Sequence, residues 1–330
     1  MVWLWVPGLI VAAFATRWGA EQLAAPLKAV RRRYGFTGAA GGPLVALGSA
    51  SPDVGINTVS AVTGTASIGL GSMLGSTVVS IPITVAVAFA ASRKNRRDQD
   101  RDAQSGGLTV EKDSVLVDAL PYLATVAVFA LLVLPAPWRG LQLIDGVIAV
   151  LVYVAFLTQA LLRGRGGQRG EVSWSTKQTL RAVAGVAVLA VGSYILVTGT
   201  RQIGSTLGLQ PLVSGLFITA FMTALPQVFT TWSVVRSGQV TSGVTSVFAD
   251  HAMTFTLAVL PLAIVGVSVD NYPIVLVVMG FVALMPILFA VLSRRHKLGD
   301  QYSLLFRDVL VFGAAVVVYI AVVGFMLVVS

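Results

Sequence analysis

The chain is a series of apolar segments, each roughly as long as the 20-residue helix that crosses the hydrocarbon core of a bilayer. Only 11% of the residues are charged and 56% are hydrophobic, whereas a soluble domain is about 25% charged. The pattern predicts an all-α membrane protein without a separate soluble domain. Its ten candidate transmembrane helices are 2–24, 39–63, 67–92, 114–135, 141–162, 178–200, 211–235, 242–266, 272–293 and 305–329.

Lys and Arg are distributed unequally between alternate loops, which gives the spans a direction. Of the 23 basic residues, 20 lie in or next to the loops that follow the first, third, fifth, seventh and ninth spans. Arg139 and Arg201 lie in the other loops, and Arg17 lies in the first span, close enough to its cytoplasmic end to reach the interface. Because positively charged loops stay in the cytoplasm, we predict a multi-pass protein of the cell membrane with both termini outside.

The charge pattern and composition also limit the partners and the chemistry. The basic residues follow the loops instead of covering one soluble face, so we expect a lipid bilayer and no nucleic acid as partner. The chain has no cysteine, which excludes disulfides and thiolate metal sites. No pairing of a nucleophile with a base is found at plausible depth, so we expect neither an enzyme nor a cofactor. The oligomeric state is left open.

The sequence repeats itself at a distance of 174 residues. At this offset Leu47–Asp53 falls on Phe221–Gln227 without a gap, and Gly64 falls on Gly238. Ten spans thus divide into two halves of five. Since five is odd, the second half enters the membrane from the opposite face, which is the inverted-repeat plan of secondary transporters.

This repeat predicts the organisation of the chain. Between the halves lies a short basic segment, and a longer polar stretch, 93–113, follows the third span. We interpret the stretch as a solvated cytoplasmic connector, with a regulatory role as the alternative. The predicted units are a first five-helix repeat at 1–163, a cytoplasmic linker at 164–177 and a second five-helix repeat at 178–330.

A proline lies near the centre of the second and seventh spans, at equivalent positions of the two halves. Pro52 and Pro226 each remove a backbone donor and so free the carbonyl four residues earlier, at Gly48 and Met222. Inverted-repeat transporters bind their substrate at such discontinuous helices, near the bilayer midplane. The alternative is that both prolines are ordinary kinks, which membrane helices tolerate.

Two acidic residues lie well inside predicted spans, Asp53 in the second and Asp250 in the eighth. A carboxylate within lipid is costly and is by default a functional hypothesis. Ser49 lies one helical turn before Asp53, and hard cations prefer carboxylate, hydroxyl and carbonyl oxygens. His251 is rotated by about 100° from Asp250 on a helix, so we do not expect it to be a ligand.

The offset also relates the third span to the eighth, because Ser76 is equivalent to Asp250 and Ser80 to Thr254. In each span the second residue lies one turn beyond the first, on the same face. Both pairs are therefore predicted to face one site. The glycines of the run 71–75 are interpreted as surfaces for close helix packing, and not as a phosphate loop.

The run Gly48 to Asp53, followed by Gly69 to Ser76, resembles the first alpha-repeat of the calcium/cation antiporter superfamily, which includes the sodium/calcium exchangers. Family members typically read Gly-Thr-Ser-x-Pro-Glu and then Gly-Asn-x-x-Gly-Ser-Asn. The resemblance places the two alpha-repeats at about 39–92 and 211–266 and agrees with ten helices, inverted halves and outside termini. It implies that the sodium and calcium ligands are Ser49, Asp53, Ser76, Ser80, Thr223, Gln227, Asp250 and Thr254.

The chain departs from the family pattern at its acidic positions. Asp53 replaces a glutamate, Gln227 is neutral where the second glutamate is expected, and Ser80 and Thr254 replace an acid or amide. Asp250 restores one charge at a position that is usually serine. Two carboxylates neutralise one divalent cation, two sodium ions or two protons, and a larger sodium load lacks countercharge.

Three functions follow from these patterns. The first is a secondary cation antiporter that exchanges sodium and calcium by alternating access. The second is a cation/proton antiporter such as a sodium/proton exchanger, which the missing glutamate favours. The third is a membrane protein that keeps the fold without transport, as a sensor or an assembly partner.

Overall fold

A computed structural model describes residues 4–34, 47–92, 107–134, 139–163, 175–269, 271–298 and 301–329. Helices dominate the described residues, and most of the connections between them are short. The parts of the predicted connector at 93–106 and of the predicted linker at 164–174 lie outside the described residues. In chain order the helices are α1 Trp5–Tyr34, α2 Ser51–Val62, α3 Ala66–Ala91, α4 Lys112–Val133, α5 Leu143–Arg163, α6 Thr176–Thr206, α7 Pro211–Arg236, α8 Val240–Thr254, α9 Leu260–Val265, α10 Tyr272–Arg295 and α11 Phe306–Val329.

Several helices are suited to a membrane. Within the described residues, α3, α6, α7, α10 and α11 are both long and apolar enough to cross a bilayer. Large apolar side chains on their outer faces are exposed, among them Leu180, Phe325 and Val328. Exposed apolar surface on this scale needs a lipid environment, so the prediction of an all-α membrane protein is confirmed at that level.

The most buried of these five helices is α3, which packs against α2, α7, α8, α10 and α11. Glycines bring α3 and α7 into backbone contact. A Cβ at Gly71 would lie 2.1 Å from the carbonyl oxygen of Leu212, and one at Gly75 would lie 2.3 Å from that of Leu216. The glycine run therefore serves close packing, because any side chain there would separate the two helices.

The first helix is longer than the sequence predicts. It continues from Trp5 through Pro26 to Tyr34, although the apolar segment ends near residue 24. It packs along α6, and Gly19 allows the close approach, since a Cβ there would lie 2.5 Å from the carbonyl oxygen of Gly185. The α1–α6 pair thus forms a second layer beside the bundle that surrounds α3.

The helix breaks only partly follow the prolines. In the second predicted span a turn at Ala50 separates helical residues 47–49 from α2, and Pro52 occupies the first turn of α2. In the seventh span α7 continues through Pro226, and a π-helical stretch, Gly215–Thr219, lies upstream. The break in the second half lies instead in the eighth span, where residues 255–259 separate α8 from α9.

Short antiparallel strands join the ends of the helices in two places. Strand β1, Leu108–Glu111, pairs with β5, Gln301–Leu304, which also pairs with β4, Lys297–Leu298. Strand β2, Gly140–Leu141, pairs with β3, Val267–Ser268. The interpretation of 93–113 as a solvated connector is therefore wrong for 108–111. These residues are ordered by partners almost 200 positions away, which local composition does not reveal.

Candidate cation site

A cavity of about 60 Å³ lies between α1, α2, α3, α7 and α8. A space of this size holds a small ion or water molecules, since a water occupies about 30 Å³ of liquid. The two prolines, Pro52 and Pro226, line it from opposite halves of the chain. The lining also contains seven of the eight ligand residues that the sequence predicts, namely Ser49, Asp53, Ser76, Ser80, Thr223, Gln227 and Asp250.

The eighth predicted ligand, Thr254, joins the cavity through Asp53. Its Oγ1 donates to Oδ2 of Asp53 at 2.5 Å, and one turn earlier Oγ of Ser49 donates to Oδ1 of Asp250, also at 2.5 Å. One turn later, Nδ2 of Asn57 donates to the carbonyl oxygen of Ala258 at 2.7 Å. Three contacts at intervals of one helical turn thus hold the second span against the eighth, with both carboxylates between them.

The opposite wall, formed by α3 and α7, carries hydroxyl and amide groups. Ser76 donates to the carbonyl oxygen of Met73 at 3.2 Å, and Thr223 donates to that of Ala220 at 3.0 Å. Because each hydroxyl donates its proton to a carbonyl of its own helix, its oxygen lone pairs remain as acceptors that face the cavity. The cavity therefore combines two carboxylates with neutral oxygen donors, the ligand type that hard cations prefer.

The carbonyl freed by Pro52 has a partner within the protein. The hydroxyl of Ser51 donates to the carbonyl oxygen of Gly48 at 2.7 Å. This contact replaces the helical hydrogen bond that the proline removes. The carbonyl of Gly48 therefore does not require a cation, and the negative charge of the site comes from Asp53 and Asp250.

Two ionisable residues that the sequence did not assign to the site, His251 and Arg17, also line the cavity. His251 lies in its wall, with Nδ1 at 3.5 Å from Oγ1 of Thr77 and with Nε2 buried without a hydrogen-bond partner. The sequence does not predict His251 as a ligand, yet both Asp250 and His251 line the cavity. Arg17 lies in the wall as well, and its Nε is 3.5 Å from Oε1 of Glu21 on the same helix. The sequence feature that could have identified Arg17 is a charged residue inside an apolar helix, which is by default a functional hypothesis.

The residues that the structure describes contain no group of three or more His, Cys, Asp or Glu side chains that could hold a metal ion. The negative charge of the cavity lining thus comes from one pair of acids, Asp53 and Asp250, from two distant parts of the chain. Such a pair binds hard cations through oxygen alone.

Exposed apolar helices around a cavity with two acids and several neutral oxygens define a multi-pass membrane protein with a candidate cation site. The family profile described as Sodium/calcium exchanger protein matches residues 4–162 and 177–328. The chain therefore belongs to the sodium/calcium exchanger protein family. No curated protein sequence is significantly similar to it.

Solved structures of the sodium-calcium exchanger NCX_Mj have a similar fold. Three of them come from crystals soaked with 10 mM Na⁺ and zero Ca²⁺, with 2.5 mM Na⁺ and 0.1 mM Sr²⁺, and with zero Na⁺ and Ca²⁺. Each has a TM-score of 0.61 over 97% of this chain and 99% of the other, with 18%, 19% and 17% identity respectively. Identity this low shows a common fold. The ions that this chain binds have to be inferred from its own residues.

Proposed function

We propose that this protein is a secondary active antiporter that exchanges sodium and calcium by alternating access. One observation carries the proposal: Asp53 and Asp250, from different halves of the chain, line one cavity beside the hydroxyls of Ser49 and Thr254. The proposed cation ligands are the eight residues that the resemblance implied. Seven of them line the cavity, and the eighth, Thr254, donates a hydrogen bond to Asp53.

The proposed exchange follows from the cost of empty carboxylates. Two negative charges among apolar helices are unfavourable unless cations or protons neutralise them. If the empty site does not switch between opening to one side of the membrane and opening to the other, each release of a cation must be followed by the binding of another before the site can switch. Calcium, or two sodium ions, satisfies the same pair of charges, which is the basis for competition at one site.

We further propose ten spans in two inverted halves, 1–163 and 178–330, with both termini outside the cell membrane. The strand pairs support this topology. Strand β1 follows the third span and β5 follows the ninth, two loops that the charge pattern assigns to the cytoplasm. Strands β2 and β3 follow the fourth and eighth spans, both assigned to the outside. A missed span between these loops would place paired strands on opposite sides of the membrane.

The last helices of the two proposed halves also begin alike. Oδ2 of Asp145 accepts from the backbone N–H of Gln142 at 2.8 Å, where α5 begins. Oδ2 of Asp308 accepts from that of Leu305 at 2.7 Å, where α11 begins. An identical three-residue cap at both fifth helices supports a structural repeat. It also accounts for two buried acids without a role in ion binding.

A cation/proton antiporter is the second candidate. The neutral Gln227 lies in the cavity wall where the family resemblance expects a glutamate, so the described lining holds two acids. Two acids also suffice for the exchange of protons against sodium or another cation. This function predicts flux driven by a pH gradient and none driven by sodium when calcium is the counter-ion.

Flux into proteoliposomes separates the candidates. Sodium, calcium and proton gradients are imposed one at a time, and the uptake of calcium and sodium is followed. Calcium uptake driven by an outward sodium gradient supports sodium/calcium exchange. Sodium uptake driven only by a pH gradient supports the second candidate. Absence of flux under all three gradients, from folded protein, would contradict both and favour a protein that keeps the fold without transport.

A further inference from the structure

Arg17 adds a positive charge to the wall of the proposed cation site. It lies on α1, next to Thr16, which also lines the cavity. Its side chain is 23% exposed, and Nε is buried without a hydrogen-bond partner. Arg17 and Asp250 line the same cavity. The residue thus belongs to the site by position, although the residue patterns that predicted the ligands do not include it.

The charge of Arg17 changes the balance of the site. The Asp and Arg side chains in the cavity lining are Asp53, Asp250 and Arg17. With the guanidinium directed into the cavity, the two carboxylates need only one further positive charge. With the guanidinium directed away, they need two. Because charge is weakly screened among apolar helices, this difference discriminates between monovalent and divalent cations.

Glu21 offers the guanidinium a second partner. It lies one turn further along α1, with Oε1 at 3.5 Å from Nε of Arg17, and it is 56% exposed. Ion pairs exposed to this degree are weak. The ion pair therefore does not fix the guanidinium at Glu21, and the carboxylate of Asp250 lines the same cavity as Arg17.

We infer that Arg17 is a built-in countercation of the site: it leaves room for one monovalent charge while it faces Asp250 and admits a divalent cation only when it turns to Glu21. This inference rests on the proposed function, and it assigns the choice between sodium and calcium to a residue outside the ligand set. Arg17 is thus a specificity-determining residue.

Calcium and sodium binding to the purified, detergent-solubilised protein tests the inference by isothermal titration calorimetry. Arg17→Gln is expected to raise calcium affinity at least about tenfold, because a fixed positive charge opposes a divalent ion more than a monovalent one. Arg17→Lys keeps the charge and is expected to stay close to wild type. Glu21→Gln removes the second partner and is expected to weaken calcium binding, with sodium binding less affected. Arg181→Gln removes a charge from an exposed position of α6 and serves as the matched control.

Calcium affinity in Arg17→Gln that equals or falls below wild type would overturn the inference. A gain in Arg17→Lys as large as in Arg17→Gln would also overturn it, since the charge would then not be the cause. If Arg17→Gln does not fold, Glu21→Gln decides, because an unchanged calcium affinity there contradicts the two-partner scheme. If the wild-type protein exchanges cations and these variants show no effect, only the role of Arg17 is refuted and the proposed function stands. Wild-type protein without any cation flux refutes the proposed function.

Discussion

The hydroxyl of Thr254 donates a 2.5 Å hydrogen bond to the carboxylate of Asp53, across 201 positions of the chain. The same hydroxyl lies 3.1 Å from the carbonyl oxygen of Asp250. One side chain therefore links the main chain at one acid to the carboxylate of the other. This link keeps the two halves of the candidate site in register, and it makes Thr254 as informative a target as either acid.

Asp53→Asn is expected to abolish ion-driven exchange and to leave the protein folded. The asparagine oxygen still accepts from Thr254, so the contact survives while one of two negative charges is lost. Flux in proteoliposomes measures the effect, and monodisperse elution from a size-exclusion column measures folding. Asp308→Asn is the control, because asparagine also caps helices and this acid lies at the start of α11, outside the cavity lining. Exchange that continues in Asp53→Asn would remove this carboxylate from the mechanism.

Thr254→Ala is expected to weaken cation binding roughly 10- to 150-fold, because a lost hydrogen bond to a charged group costs about 1.5–3 kcal/mol. Thr254→Ser retains the hydroxyl and is expected to retain most of the affinity. Calorimetric titration of the purified protein with calcium and with sodium measures both. Thr256→Ala is the control, since that hydroxyl, just after the end of α8, donates to the carbonyl oxygen of Ala252 in α8 at 2.8 Å. Equal losses in the two alanine variants would indicate a general effect on α8.

Gln227→Glu is expected to shift ion preference towards divalent cations. The substitution adds a third carboxylate to the wall of the cavity, where a unit charge interacts about twice as strongly with Ca²⁺ as with Na⁺. Competition between the two ions during calcium uptake measures the shift. Unchanged selectivity in a folded, active variant would mean that this position does not contact the transported ion.

Gly75→Ala is expected to destabilise the protein, since its Cβ would lie 2.3 Å from the carbonyl oxygen of Leu216. The helices must separate or shift, and α3 lies at the centre of the bundle. Thermal unfolding in detergent measures the effect. Gly280→Ala is the matched control, because no atom lies within 4 Å of a Cβ there. That control is expected to be neutral or to gain up to about 1 kcal/mol in free energy of unfolding, as alanine favours the helix. Equal stability of both variants would contradict close packing at Gly75.

The absence of cysteine makes the proposed topology testable with single cysteines. Thr206→Cys, at the end of α6, is expected to react with a membrane-impermeant maleimide added to whole cells. Ser237→Cys, in the turn after α7, is expected to react only after the membrane is permeabilised. Both positions are exposed in the structure. Labelling of the two from the same side would contradict the proposed orientation of α7.

Much of the candidate site was accessible from the sequence because charge within apolar segments is rare and costly. Asp53, Asp250 and the hydroxyls one turn from each followed from burial and helical periodicity. The offset of 174 residues then assigned Ser76 and Ser80 of α3, and the family resemblance added Thr223 and Gln227 of α7; the structure brings all four to the same cavity. Whether all eight bind the ion stays a prediction.

Other features depended on long-range packing. Pro52 and Pro226 have equivalent sequence positions, yet one lies in the first turn of a helix and the other lies within a helix. Proline removes one hydrogen bond in either case, and the surrounding helices decide whether the chain breaks there. The short strands likewise exist only because distant loops meet.

The sequence by itself determined the membrane environment, the approximate helices, the family and the rare acids within them, because these follow from hydropathy, periodicity and local motifs. The tertiary structure alone decided which of these groups contact each other and which further residues enter the cavity. Thr254 meets Asp53, and Arg17 enters the wall of the site, only because α1, α2 and α8 converge there. Contacts between residues 200 positions apart depend on helix packing, and no local pattern encodes that geometry.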